Sequence, residues 1–81
     1  MRNEFIKLFG QENVRELTNG NLSYNGVSDD GLKYSIEYRT TPHPVVQFSV
    51  FDMTIKIDEV DDLELFLKKS IGYYKSIEGI D

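Results

Sequence analysis

The clearest periodic signal in the chain lies at residues 32–39, where Leu32, Tyr34, Ile36 and Tyr38 alternate with Lys33, Ser35, Glu37 and Arg39. A period of two puts all four apolar side chains on one face, so the segment predicts a strand buried on one side. Just upstream, Ser28-Asp29-Asp30-Gly31 has turn chemistry. Aspartate at the early positions bonds its own backbone, and glycine accepts positive φ. Residues 21–26 read as a weaker strand leading into that turn. Downstream, Thr41-Pro42-His43-Pro44 cannot be helix interior or central strand, so it is a connection.

The next apolar run changes phase. Val46, Phe48 and Val50 point one way, while Phe51, Met53, Ile55 and Ile57 occupy the opposite phase. A slip of one residue exchanges the faces of a strand. Unbroken from 45 to 57, the strand would also be about 43 Å long at about 3.3 Å per residue, twice the usual length. The chain must bulge or turn near Phe51-Asp52. A bulge or sharp bend is favoured over a tight hairpin, because no Gly, Pro or Asn stands there to make the turn. The uncharged, β-prone segment 45–51 is an aggregation hazard on an edge, so it belongs in a central strand or in a pairing across a dimer.

Helical spacing marks the two ends. Phe5, Leu8 and Phe9 follow Asn3, a plausible N-cap, and precede Gly10, which predicts a short helix at about 3–9. Val14 and Leu17 form a separate i, i+3 pair, which suggests one or two further helical turns at about 12–18. At the other end, Asp61 is placed as an N-cap with Glu64 at N3, and Val60 and Leu65 take the staple positions. Leu63, Phe66, Leu67, Ile71, Tyr73, Tyr74 and Ile77 then fall within a stripe about 160° wide. Gly72 falls on the polar side.

Together these elements predict an α+β fold over residues 1–81 as one domain. An antiparallel sheet of three or four strands is flanked by an N-terminal helical segment and a C-terminal helix. A chain of 81 residues is near the lower end of what folds alone. It contains no cysteine, so disulfides and thiolate metal sites are excluded. With no signal-like apolar segment after Met1 and no run near the roughly eighteen apolar residues of a membrane span, a cytoplasmic protein is expected.

Charge changes the picture more than composition does. The formal net charge is -5. Asp52, Asp58, Glu59, Asp61, Asp62 and Glu64 stand against Lys56 alone between 52 and 64, which also sums to -5. The remainder is balanced, and a generally acidic chain is a poor candidate for gripping nucleic acid. Helix-start chemistry explains Asp61, Asp62 and Glu64, but explains Asp58 and Glu59 less well, since they precede the helix. These five acids are therefore candidates for a partner-facing patch. Tyr73 and Tyr74 lie near the end of the C-terminal helix, where one of them is a candidate interface anchor.

Catalytic chemistry finds little support. His43 is the sole imidazole, held between prolines, and no Gly-x-Ser-x-Gly elbow, P-loop or dinucleotide fingerprint is present. An EF-hand frame started at Asp58 fails at Val60 and Leu63. No cofactor, metal or catalytic residue is expected. Small acidic inhibitors, immunity proteins and phage-encoded anti-defence proteins share this size and charge, with no motif behind the likeness. The leading expectation is a non-catalytic module that engages a basic protein surface. A self-associating homodimeric accessory protein comes second, and an enzyme or ligand carrier third. A pocket collecting His43 with several carboxylates would favour the third.

Overall fold

The computed structural model describes residues 1–58 and 60–78. The chain runs through α1 (Arg2–Phe9), β1 (Arg15–Glu16), β2 (Leu22–Val27), β3 (Lys33–Arg39), β4 (Val45–Val50), β5 (Met53–Ile57) and α2 (Leu63–Glu78). Single 3-10 turns at Gln11–Asn13 and Thr18–Gly20 join the early elements. The strands form one antiparallel sheet in the order β1-β2-β3-β4-β5. This is the expected α+β architecture, with five strands rather than three or four.

The register explains how the sequence builds a core. Leu22 pairs with Tyr38 and Tyr24 with Ile36 across β2–β3, and Ile36 with Phe48 across β3–β4. Val46 meets Ile57 and Phe48 meets Ile55 across β4–β5. All of these occupy one face. Phe5 from α1 and Leu63 and Phe66 from α2 close over Leu22, Ile36, Val46 and Phe48 to form the buried cluster. Ser23, Asn25, Ser35, Glu37, Gln47, Ser49, Thr54 and Lys56 fall on the opposite, polar face. The alternation read at 32–39 holds, although Leu32 lies just before β3.

An aromatic row runs across the inner face. Phe9 stacks on Tyr24 at 4.2 Å between ring centroids, Tyr24 lies 6.3 Å from Tyr34, and Tyr34 lies 5.7 Å from Phe48. Gly26 makes room for it, since a Cβ there would sit 2.5 Å from the Tyr24 ring and 2.8 Å from the Tyr34 ring.

The phase change at Phe51-Asp52 is a tight hairpin, not a bulge. Val50 pairs with Met53, so both flanking residues face the core and two residues make the turn. Among the described non-glycine residues only Asn19 has positive φ. Phe51 and Asp52 therefore make a turn outside the primed types that ask for Gly or Asn. That is why local composition gave no sign of it. The hairpin places β4 inside the sheet, as its apolar run requires.

Residues 12–18 also differ from expectation. Gly10, at φ 89, redirects the chain after α1, and Asn13 Nδ2 donates to the Phe9 carbonyl at 3.0 Å. Arg15 and Glu16 then pair with Ser23 and Leu22. Edge pairing satisfies the backbone groups that a helical turn would have bonded internally.

Helix α2 begins one residue later than the capping pattern suggests. Asp62, not Asp61, is the cap: its Oδ1 accepts from Leu65 N–H at 3.1 Å, and its carbonyl accepts from Phe66 N–H at 3.0 Å. Glu64 accordingly sits at N2 rather than N3, and the N′ and N4 positions fall on Asp61 and Phe66 rather than on Val60 and Leu65. The shift keeps Leu63 and Phe66 buried.

Near its other end, α2 is tied to the β2–β3 turn by an ion pair between Lys75 and Asp30. That turn forms as expected, with Gly31 at φ 93 and Gly31 N–H donating to the Ser28 carbonyl at 3.0 Å. The Lys75 ammonium, with the Ser28 hydroxyl bonded at 2.5 Å, lowers the Asp30 carboxyl from 3.8 to about 2. A carboxyl depressed in the folded state adds stability above its unfolded pKa. That stability is lost as pH falls through the folded value. Asp30→Asn is expected to lower the thermal midpoint at neutral pH and to converge on the parent as pH falls below about 2. Melts across that range check it; a gap that persists in acid would locate the effect elsewhere than in the ion pair.

Candidate functional site

The short connection from β5 to α2 gathers the acidic residues, because it must reverse the chain and also start a helix. Asp58, Asp61, Asp62 and Glu64 are all exposed there. Glu59 lies outside the described residues. Asp58 Oδ1 is 3.4 Å from His43 Nε2, across the gap to the β3–β4 connection. Asp61, Asp62 and Glu64 have no cation partner among the described ion pairs, and Asp62 spends one oxygen on the helix cap.

Tyr73 and Tyr74 part company. Tyr74 is buried with the core side of α2, whereas Tyr73 is 58% exposed. Ile77 is also exposed, and Ser70 is buried in the stripe. The face turned to the core is thus narrower than the apolar stripe of the sequence: Leu63, Phe66, Ser70 and Tyr74 are buried, and Leu67 and Ile71 half-buried. The rest of the stripe looks toward β5.

Between that side of α2 and β5 lies a groove of about 940 Å³. Met53, Ile55 and Ile57 form one wall, and Leu65, Lys69, Tyr73 and Ile77, successive residues of one i, i+4 row, form the other. Asp61 and Asp62 stand at the end where β5 finishes. Leu65 (47%), Tyr73 (58%), Ile77 (55%) and Ile57 (41%) are large apolar side chains left open to solvent along it. Of the residues singled out from sequence, the groove brings together Asp61, Asp62 and Tyr73. Leu65, Ile77 and Ile57 were not among them. For Ile77 the signal was present in the width of the α2 stripe, since a helix covering one sheet needs only about 100° of apolar surface, whereas Leu65 and Ile57 lie outside that stripe.

A second cleft, of about 530 Å³, adjoins the first. It brings His43 together with Asp58 and Asp61, beside Met1, Tyr38 and Pro44. The imidazole thus shares one cleft with two carboxylates, which is in part the arrangement that would favour an enzyme or ligand carrier. No serine, threonine or cysteine is among the described lining residues to be activated as a nucleophile. Glu64 lies in a third, shallow depression with Glu4 and Lys7 of α1. Among the described residues no group of three or more His, Cys, Asp or Glu side chains is placed to hold a metal ion. Nor is any described helix long and apolar enough to cross a membrane.

In comparison with known proteins, the chain matches no family, no curated protein and no solved structure.

Proposed function

We propose that this chain is a non-catalytic protein-interaction module, of inhibitor, immunity or anti-defence type, that engages a basic surface of a partner protein. The observation that carries this reading is the company the acids keep. Asp61 and Asp62 are exposed at the mouth of an apolar groove whose walls a folded monomer leaves uncovered, and Asp58 is exposed in the adjoining cleft. A contiguous apolar patch rimmed by charge is the usual form of a protein-docking surface. Exposed carboxylates at that end steer a basic surface toward it and mainly accelerate association.

The test separates binding from folding. Asp58→Lys with Asp61→Lys changes two exposed residues that precede the helix cap, so the melting temperature is expected to stay within a degree or two, as for other surface substitutions. Capture of the partner from the native host is expected to fall, with the association rate reduced about tenfold or more at low salt and less at high salt. A folded double variant that captures the same partner equally well at every salt concentration would leave the acids as helix-start chemistry alone.

A further inference from the structure

We propose that β5 receives an extended segment of the partner as a sixth strand, added antiparallel, and that this segment carries Lys or Arg just before a run of alternating apolar residues. The proposal rests on the protein-binding reading above and names the kind of segment bound.

The first argument is the state of the edge. β5 is the last strand of the sheet, with β4 on one side and no strand among the described residues on the other. Val50 and Met53 close a two-residue turn, so they form a hydrogen-bonded pair, and such pairs alternate along an antiparallel ladder. Phe48–Ile55 and Val46–Ile57 are then bonded as well. The N–H and C=O groups of Thr54 and Lys56 are left directed away from β4, ready to bond another strand.

The groove supplies the second. A strand laid along Met53–Ile57 turns every second side chain to the inner face. There it would fill the space between β5 and the Leu65, Tyr73 and Ile77 ridge of α2. The remaining side chains would emerge on the polar face beside Thr54 and Lys56. Strand bonds provide affinity in this mode, and the pockets for alternate side chains provide selection.

Every described pair in the sheet is antiparallel, and charge fixes which end of an added antiparallel segment is basic. Asp58, Asp61 and Asp62 lie where β5 ends. An antiparallel segment has its N-terminal end at that place, so its basic residues precede its apolar run. A second copy of this chain is a poorer occupant. Each copy carries a net charge of -5. If two β5 edges pair about Ile55, the register that bonds Thr54 to Lys56 on both sides, Asp52 of each copy faces Asp58 of the other.

The test is selection of a displayed library of random peptides against the intact chain and against Thr54→Pro. At an outward-facing N–H, proline removes only the edge donor and leaves the β4 ladder whole. Enriched peptides are expected to share the basic start and the alternation, and to lose binding to Thr54→Pro. N-methylation provides a check that leaves the protein untouched. Methyl groups on the selected peptide's amides that face β5 should weaken binding about tenfold, the worth of one net hydrogen bond, while those on the alternate amides should not. Hydrogen exchange at Thr54 and Lys56 should slow when the peptide binds.

Enrichment of nothing, of peptides without alternation, or of peptides with the basic end last would overturn the proposal. So would insensitivity to methylation, or protection of Thr54 and Lys56 by concentration of the chain alone, which would assign the edge to a second copy. If strand addition fails in these ways while Asp58→Lys with Asp61→Lys still weakens partner capture, the protein-binding reading stands and only its mode is wrong.

Discussion

Ile36→Asp is expected to unfold the protein at room temperature, whereas Glu37→Ala, one residue along, should shift stability by no more than about 0.5 kcal/mol. Ile36 is fully buried in the central strand β3, between Tyr24 of β2 and Phe48 of β4. A carboxylate placed there loses its hydration and finds no cation among Phe5, Leu22, Val46 and Leu63. Neutralising it by protonation still leaves an unpaired polar group and the volume of a lost aliphatic side chain. The combined cost, on the order of 4 kcal/mol or more, compares with the roughly 5–15 kcal/mol that a whole domain has in hand. A chain this small sits at the low end of that range. Glu37 projects from the polar face, where its nearest partner is Arg39 at 3.7 Å. Circular dichroism and urea titration of the two variants decide the matter. Similar midpoints would mean that the faces of β3 are assigned the wrong way round.

That contrast is legible in the sequence because β3 obeys one rule along its length, with apolar and polar positions alternating and a turn of ordinary chemistry before it. The prolines after β3 were equally readable. What was not readable was decided by tertiary pairing. Arg15 and Glu16 have no strand signature; they become β1 because the edge of β2 offers them partners. The Phe51-Asp52 turn uses residues with no special tolerance for tight turns. It exists because Val50 and Met53 must both face the helices. The change of phase was visible, but its geometry followed from where the core lies. The cap of α2 moved from Asp61 to Asp62 for a similar reason, since burial of Leu63 and Phe66 sets the rotation of the helix.

The candidate site divides along the same line. The concentration of acids before α2 could be counted from the sequence, and so could the balance of charge elsewhere. The groove could not, because it arises from a mismatch between two elements far apart in their logic. α2 has a stripe wider than one sheet can cover, and β5 is an edge whose inner residues continue the core row past the helix. Tyr73 and Tyr74 show the limit well. A helical wheel places both near the apolar side, and only the crossing of α2 over the sheet sends one into the core and the other to the groove. The contact of His43 with Asp58 was likewise hidden, since 15 residues separate them.

Phe5→Ala is expected to cost about 3–5 kcal/mol, while Phe51→Ala should change stability by less than about 0.5 kcal/mol. Hydropathy alone makes the two residues equivalent. Phe5 is fully buried, and it is the one buried residue that α1 contributes. Its ring meets Phe9 edge-on at 4.9 Å, and Phe9 in turn stacks on Tyr24 of β2. At 8 residues, with no side-chain hydrogen bond at its N-cap, α1 is shorter than the roughly 12–15 residues that an isolated helix needs in water. Its order therefore depends on docking, and truncating Phe5 removes the anchor while opening a cavity over Leu22 and Ile36. Phe51, at the tip of the β4–β5 hairpin, is fully exposed and has no packing to lose. Urea midpoints of the two variants provide the comparison, and amide exchange across residues 2–9 should rise in Phe5→Ala before the sheet opens. Equal shifts in the two variants would contradict the docking of α1 on the sheet.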